Sequence, residues 1–212
     1  MLKLDHLAII APSLEAGADY VRSQLGIEMQ KGGKHPQMGT HNLLLRLGDD
    51  VYLEVIAADP EVAAPSKPRW FGLDDPQAVQ AVWDEGRRLR GWVVRTEDID
   101  AVLASRETLL GRKTRVSRGD RSWDFSLLPD GSLPVGGVAP SVIEWGDHKN
   151  PASGMSDCGA RLRAFEIEHP DPDQVSRLYS QLGVVDPPKI SKGRRLRYRA
   201  TIEIPNGVVE LY

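Results

Sequence analysis

The chain has one cysteine, Cys158, among its 212 residues. A lone thiol excludes an internal disulfide and a thiolate metal cluster, and it fits a reducing cytoplasm. Cys158 sits in a Gly/Ser-rich connector with no base beside it, so it reads as an idle thiol rather than a nucleophile. There is no excess of positive charge either: 27 Lys and Arg face 30 Asp and Glu, for a net charge of −3. That balance argues against nucleic acid as the default partner, because there is no basic excess to neutralise phosphates. The local run Arg194-Arg195-Leu196-Arg197 reads as a solvated face. No apolar run reaches the length of a membrane span, and the N-terminus carries no signal-peptide pattern. A P-loop, a Gly-x-Gly-x-x-Gly turn and a Gly-x-Ser-x-Gly turn are all missing. What remains is a cytoplasmic globular chain acting on a small molecule, with no nucleic acid and no membrane. At 41% hydrophobic it can bury one large core or two small ones.

Leu2-Lys3-Leu4-Asp5-His6-Leu7-Ala8-Ile9-Ile10 is apolar almost throughout, yet holds a histidine in its middle. Alternation along a strand puts His6, Ala8 and Ile10 on one face and Leu7 and Ile9 on the other. An imidazole in such a setting needs a partner: a carboxylate, a backbone carbonyl or a metal ion. A helix follows, bracketed by Ser13 as N-cap and Gly26 as C-terminal stop. After a polar Gly-rich segment, Asn42 to Leu47 and Val51 to Ile56 read as a hairpin across Gly48-Asp49-Asp50.

The pattern recurs. Trp92 to Thr96 reads as a strand, Asp98 caps a helix from Ile99 to Leu110, and strands follow at 114–118, 122–128 and 138–145. Asp98 precedes Gly111 by 13 positions, the spacing of Ser13 and Gly26. A third copy starts near Arg161, and Ser180-Gln181-Leu182-Gly183 repeats Ser23-Gln24-Leu25-Gly26. Gly26 to Glu54 is 28 positions and Gly183 to Glu210 is 27. Such self-similarity predicts three βαβββ units. The Pro/Asp-rich stretch 57–88 and the Gly/Asn/Pro/Ser-rich stretch 146–159 separate them, the latter being the better domain boundary.

Glu54 and Glu144 each lie inside an apolar strand, where an ionised carboxylate is costly unless paired or metal-bound. With His6 they are expected to converge as one imidazole and two carboxylates, a set suited to Mn, Fe, Ni or Zn. The alternative is that each faces solvent or pairs with Arg46, Arg95 or Arg163. His41, delivered with Asn42 to the start of a strand, is a further ligand, a general base or a substrate contact, or else a loop-capping histidine. His35 in the loop is expected to be exposed, and His148 and His169 sit in linker-like contexts. Trp70, Phe71, Trp92 and Trp123 are candidates to wall a pocket, with Arg69 or Arg95 holding an anionic substrate group and core packing as the blander reading.

Leu4-Asp5-His6-Leu7-Ala8-Ile9, Gly39-Thr40-His41-Asn42, Val51 to Ile56, Arg69-Trp70-Phe71-Gly72-Leu73-Asp74 and Val142-Ile143-Glu144-Trp145-Gly146 resemble the glyoxalase/bleomycin-resistance/dioxygenase superfamily, also called vicinal oxygen chelate proteins, and more narrowly its glyoxalase-like domain branch. The resemblance covers about residues 1–150. It implies an α+β fold of repeated βαβββ modules, at about 1–58 and 90–147, forming curled mixed sheets with helices outside. A third, C-terminal βαββ(β) module spans 160–212. The resemblance implies a divalent metal held by His6, Glu54 and Glu144, and a lyase, isomerase or dioxygenase acting on a small oxygenated metabolite. His41 or a glutamate such as Glu144, freed from the metal, then moves the proton. The pattern departs at the fourth ligand place, which falls at Gly91, next to Trp92. A metal-free binding protein and a non-catalytic assembly module are the alternatives. The third module pairs Arg163 with the His6 position, so its expected role is to cover the sheet or to pack against a second subunit in a homodimer.

Overall fold

The computed structural model describes residues 1–212. The first unit is β1 (Lys3–Ile10), α1 (Leu14–Leu25), β2 (Gln30–His35), β3 (Thr40–Arg46) and β4 (Tyr52–Ala58). The Ser13 hydroxyl accepts from Ala16 N–H at 3.1 Å to start α1, and Gly26 ends it in the left-handed conformation that glycine adopts most readily. The linker carries a helix that periodicity did not reveal, α2 (Pro76–Asp84), capped by Asp75. The second unit is β5 (Leu89–Arg95), two short helices α3 (Ile99–Leu103) and α4 (Glu107–Leu110), β6 (Arg112–Arg118), β7 (Arg121–Leu127) and β8 (Ser141–Glu144). One helix was expected over 99–110. It breaks at Arg106, whose guanidinium donates to Val102 O and to Gln181 O across the C-terminal unit.

These eight strands form one mixed sheet in the order β2-β3-β4-β1-β5-β8-β7-β6. β1 joins the halves, running parallel to β4 and antiparallel to β5. The sheet curls until its ends meet: Gln37 Nε2 donates to Ser117 Oγ at 3.1 Å and Ser117 N–H returns to Gln37 Oε1 at 3.3 Å. The curl creates two environments. Leu7, Ile9, Leu53, Val55, Trp92 and Val94 face outward into the main core with the helices. Ile10, Ile56, Trp70, Phe71, Val93, Trp123, Phe125 and Ile143 pack on the inner face.

The third unit is β9 (Arg161–His169), α5 (Pro172–Leu182), β10 (Lys189–Lys192), β11 (Arg197–Ile204) and β12 (Gly207–Leu211). Its element order repeats that of the first unit, but its pairing does not. The sheet runs β10-β9-β11-β12, so the opening strand pairs with the second and third strands and β12 lies at an edge. Glu210 is therefore no counterpart of Glu54. This unit covers the outer face: Trp92 packs against Phe165 and Tyr179, and Tyr179 Oη donates to Val138 O at 2.7 Å. No helix of the chain is long and apolar enough to cross a membrane.

Candidate active site

Inside the curl lies a cavity of about 40 Å³ lined by fourteen residues, among them His6, His35, Asn42, Tyr52, Glu54 and Arg118. Its polar wall starts with a bulge in β1. Leu4 lies opposite Val94 and His6 opposite Val93, which leaves Asp5 as an extra residue. An extra residue shifts the parity of a strand, so Leu4 and Leu7 both reach the outer core while Asp5 and His6 share the inner side. Asp5 Oδ1 accepts from His6 Nδ1 at 2.7 Å. Its other oxygen accepts from Trp145 Nε1 at 3.0 Å and Asn150 Nδ2 at 2.7 Å. Asp5 is thus fully buried and fully used, and it fixes the imidazole with Nε2 pointing into the cavity.

Glu54, on β4, meets that nitrogen: Oε2 lies 3.5 Å from His6 Nε2, an ion-pair distance. Its second oxygen accepts from Asn42 Nδ2 at 2.6 Å. A carboxylate only accepts, so the amide must turn its NH₂ toward Glu54, which leaves Asn42 Oδ1 enclosed and without a partner. Burial by itself pulls the His6 pKa down, but the Asp5 and Glu54 carboxylates outweigh it and lift the imidazole to about 9. Burial pushes Glu54 up, while His6 and Asn42 together hold it below its ordinary value. The pair is charged at neutral pH, imidazolium against carboxylate. Tyr52 stacks on the imidazole with ring centroids 4.6 Å apart.

His35 was expected to be exposed; it is 3% exposed and lines the cavity from β2. Its Nδ1 shares the Thr40 hydroxyl with the Trp70 indole, each at 3.2 Å. Burial lowers its pKa to about 4, so it is a neutral ring beside a charged pair. The opposite wall is apolar, formed by Trp70, Phe71, Trp123, Phe125 and Ile143. Arg118, Trp145 and Pro151 are the half-buried lining residues and form the mouth. No carboxylate lies within ion-pair distance of the Arg118 guanidinium, which rests near the Trp123 ring.

Of the residues expected from the sequence, His6, Asn42, Glu54, Trp70, Phe71 and Trp123 come together here. The others do not. Glu144 ends β8 with the opposite parity to Ile143, and its Oε2 accepts from Ile99 N–H at 2.8 Å, answering a free donor at the start of α3. His41 alternates with Thr40 and Asn42, so it faces outward and lines a separate hollow beside Ser13 and Leu14. Trp92 faces outward for the same reason, against the third unit. Arg69 is spent on Asp74 and Gly39 O, and Arg95 on Leu4 O and Asp50. His148 lies outside the cavity, and His169 Nδ1 accepts from Asp171 N–H at 3.0 Å. Sequence reasoning missed Asp5, His35, Tyr52, Arg118 and Trp145 as site residues. For Asp5 the signal was present: a carboxylate beside a histidine inside an apolar run.

A divalent metal between the two halves of the curl needs three or four donors, with any histidine unprotonated. Ser13 and Asp98 cap the first helices of the two halves, and Gly91 precedes Asp98 by the same seven residues as His6 precedes Ser13, so Gly91 stands where the first half has His6. Glu54 lies opposite Ala8 and Ser141 opposite Val93, so Ser141 rather than Glu144 stands in the place of Glu54. The Phe71 ring occupies the space over Gly91, within 3.6 Å of where a Cβ would stand. No three His, Cys, Asp or Glu side chains are gathered to share an ion. His6 and Glu54 alone, already an ion pair, do not fit the metal cage that the resemblance implied.

A hypothetical protein from Staphylococcus aureus is similar over 100% of this chain and 99% of its own, with a TM-score of 0.60 at 13% identity, which shows a shared fold. A methylmalonyl-CoA epimerase from Streptomyces coelicolor, in complex with 2-nitronate-propionyl-CoA, gives a TM-score of 0.46 at 18% identity over 71% of this chain and 100% of its own. A hypothetical protein from Bacillus halodurans gives 0.42 at 14% identity over 70% of this chain and 96% of its own. No curated protein matches the chain. The profile of the glyoxalase-like domain matches residues 4–183, well beyond the first two units, and the chain belongs to that family.

Proposed function

We propose that the cavity takes a small anionic, carbonyl-bearing metabolite and that Glu54 and His6 move a proton on it, as an isomerase or lyase. The observation that carries this reading is the buried His6–Glu54 pair, a base and an acid 3.5 Å apart at the wall of a cavity. Glu54 removes a proton from the carbon beside the carbonyl, the electron pair moves to the carbonyl oxygen, and the His6 Nε2–H donates to that oxygen. Substrate binding itself raises the basicity of Glu54. Once the carbonyl oxygen draws the imidazolium, burial acts on the carboxylate with less opposition. Asp5 is a positioning residue that holds the ring and keeps its proton.

Arg118, lacking a carboxylate partner at the mouth, supports an anionic group on the substrate in place of the earlier Arg69 and Arg95 assignments. Asn42 Oδ1 supports a donor, such as a hydroxyl, on the same molecule.

The aromatic wall of Trp70, Phe71, Trp123 and Phe125 favours a second reading, in which the same pocket sequesters its ligand without chemistry. Proton exchange separates the two. In D₂O, a panel of small anionic carbonyl compounds should include one whose α-hydrogen is exchanged by the wild type and about 10²–10⁴-fold more slowly by Glu54→Gln. Saturable binding with no exchange in any bound compound would leave the sequestering reading alone standing.

A further inference from the structure

A second bulge, in β5, leads away from the cleft. Gly91 lies opposite Ala8 and Leu89 opposite Ile9, so Arg90 is an extra residue. Its side chain enters a hollow of about 30 Å³ shared with Arg87, Arg197, Leu133, Tyr198 and Tyr212, none of which lines the cleft. Three arginines thus line one hollow, Arg90 and Arg87 close enough for their charges to act on each other, and no Asp or Glu lines it. Arg87 has Glu85 at 3.3 Å, but shares it with Arg195 at 2.7 Å. Neither Arg90 nor Arg197 has an Asp or Glu oxygen within 4.0 Å. Arg90 Nη1 is enclosed without a hydrogen-bond partner, and Arg197 lies over the Tyr212 ring at 4.3 Å.

Two neighbouring carbonyls already accept from other donors. Gly137 O receives the Tyr198 hydroxyl, and Tyr212 O receives the N–H groups of Arg88 and Leu89 at 3.0 and 2.8 Å. Burial and the Arg87 charge both disfavour the charged form of Arg90. Like charges gathered in a partly desolvated hollow repel, and an enclosed donor without a partner is costly. An anion with several oxygens offsets both costs, and the planar fork of a guanidinium matches a phosphate.

We propose that this hollow, between β5, the turn Pro134–Gly137 and β11, binds the phosphate group of a small molecule, independently of the cleft.

Inorganic phosphate is the probe, with chloride at matched ionic strength as control, on the full chain. At about ten times Kd, phosphate should raise the Tm by roughly 3–6 °C. It should move the amide resonances of Gly136 and Arg197 while leaving those of Asn42 and Trp145, around the cleft, in place. Arg90→Met/Arg197→Met should keep the fold and lose both responses. Should that double variant unfold, Arg197→Gln should retain the fold and bind at least tenfold more weakly. Unchanged responses in a folded variant, or shifts confined to Asn42 and Trp145, would overturn the proposal. So would a wild type indifferent to tens of millimolar phosphate.

Discussion

Asp5 accepts a hydrogen bond from Nδ1 of His6 at 2.7 Å, although adjacent residues of a flat strand face opposite sides. The bulge that makes this contact also gives His6 its charge. Asp5→Asn keeps the shape and removes the carboxylate. The His6 pKa, followed by NMR titration, should fall from about 9 by at least one unit. Stability should drop by about 1–3 kcal/mol, because a buried donor loses a charged acceptor. An imidazole titrating as before would show that Asp5 is not what holds its proton.

Two histidines bend the pH profile of stability in opposite directions. His6 is raised to about 9 when folded, so its contribution is complete below its unfolded value near 6.5 and is lost as pH rises toward 9. His35 is lowered to about 4, so the unfolded chain binds its proton first and stability is lost as pH falls from 6.5 toward 4. Glu54, depressed when folded, adds to the acid limb. The Tm should peak near pH 6.5 and decline on both sides. His35→Phe should flatten the acid limb and leave the alkaline one. A monotonic profile in the wild type would contradict these assignments.

Glu144 and Glu54 should separate cleanly under mutation. Glu144→Ala removes an acceptor from the first turn of α3 and should cost about 1 kcal/mol, leaving ligand binding in the cleft intact. Glu54→Gln should slow proton exchange about 10²–10⁴-fold and lower the His6 pKa. Loss of exchange in Glu144→Ala, with its fold retained, would return that residue to the site.

Two donors already paired with each other should hold a divalent ion poorly. Mn, Fe, Ni and Zn should each leave the Tm of the wild type within error. A rise that His6→Ala/Glu54→Ala does not show would restore the metal reading.

Trp92 couples the third unit to the sheet. Trp92→Ala should cost about 3–5 kcal/mol by leaving Phe165 and Tyr179 facing a void, without touching the cleft. A variant as stable as the wild type would mean that the outer face is held elsewhere.

Much of the fold was legible because its signals are local. Ser13 and Gly26, Asp98 and Gly111, and the echo around Gly183 marked the helices of three units, and the Leu7/Ile9 face was read from alternation. In the site, Asn42 was found because a Gly-rich segment delivers it to the start of a strand, and His6 and Glu54 because polar residues in apolar strands stand out. Glu144 was misread for the same reason. It shares that look with Glu54, but the register of β5 and β8 puts it beyond the matching place, and its carboxylate serves a helix start. His35 was missed because its strand is glycine-rich and polar, so it reads as a loop.

The sequence by itself determined most of the strands and helices, since caps, glycines and alternation act within a few residues, but not β2 or α2, whose segments read as loop and linker. Tertiary structure alone decided which side chains meet. A single extra residue at Asp5 or Arg90 changes the parity of a strand, and only pairing with a distant partner reveals it. The cleft and the arginine hollow both stand on those two residues, and the identity of neither announces it.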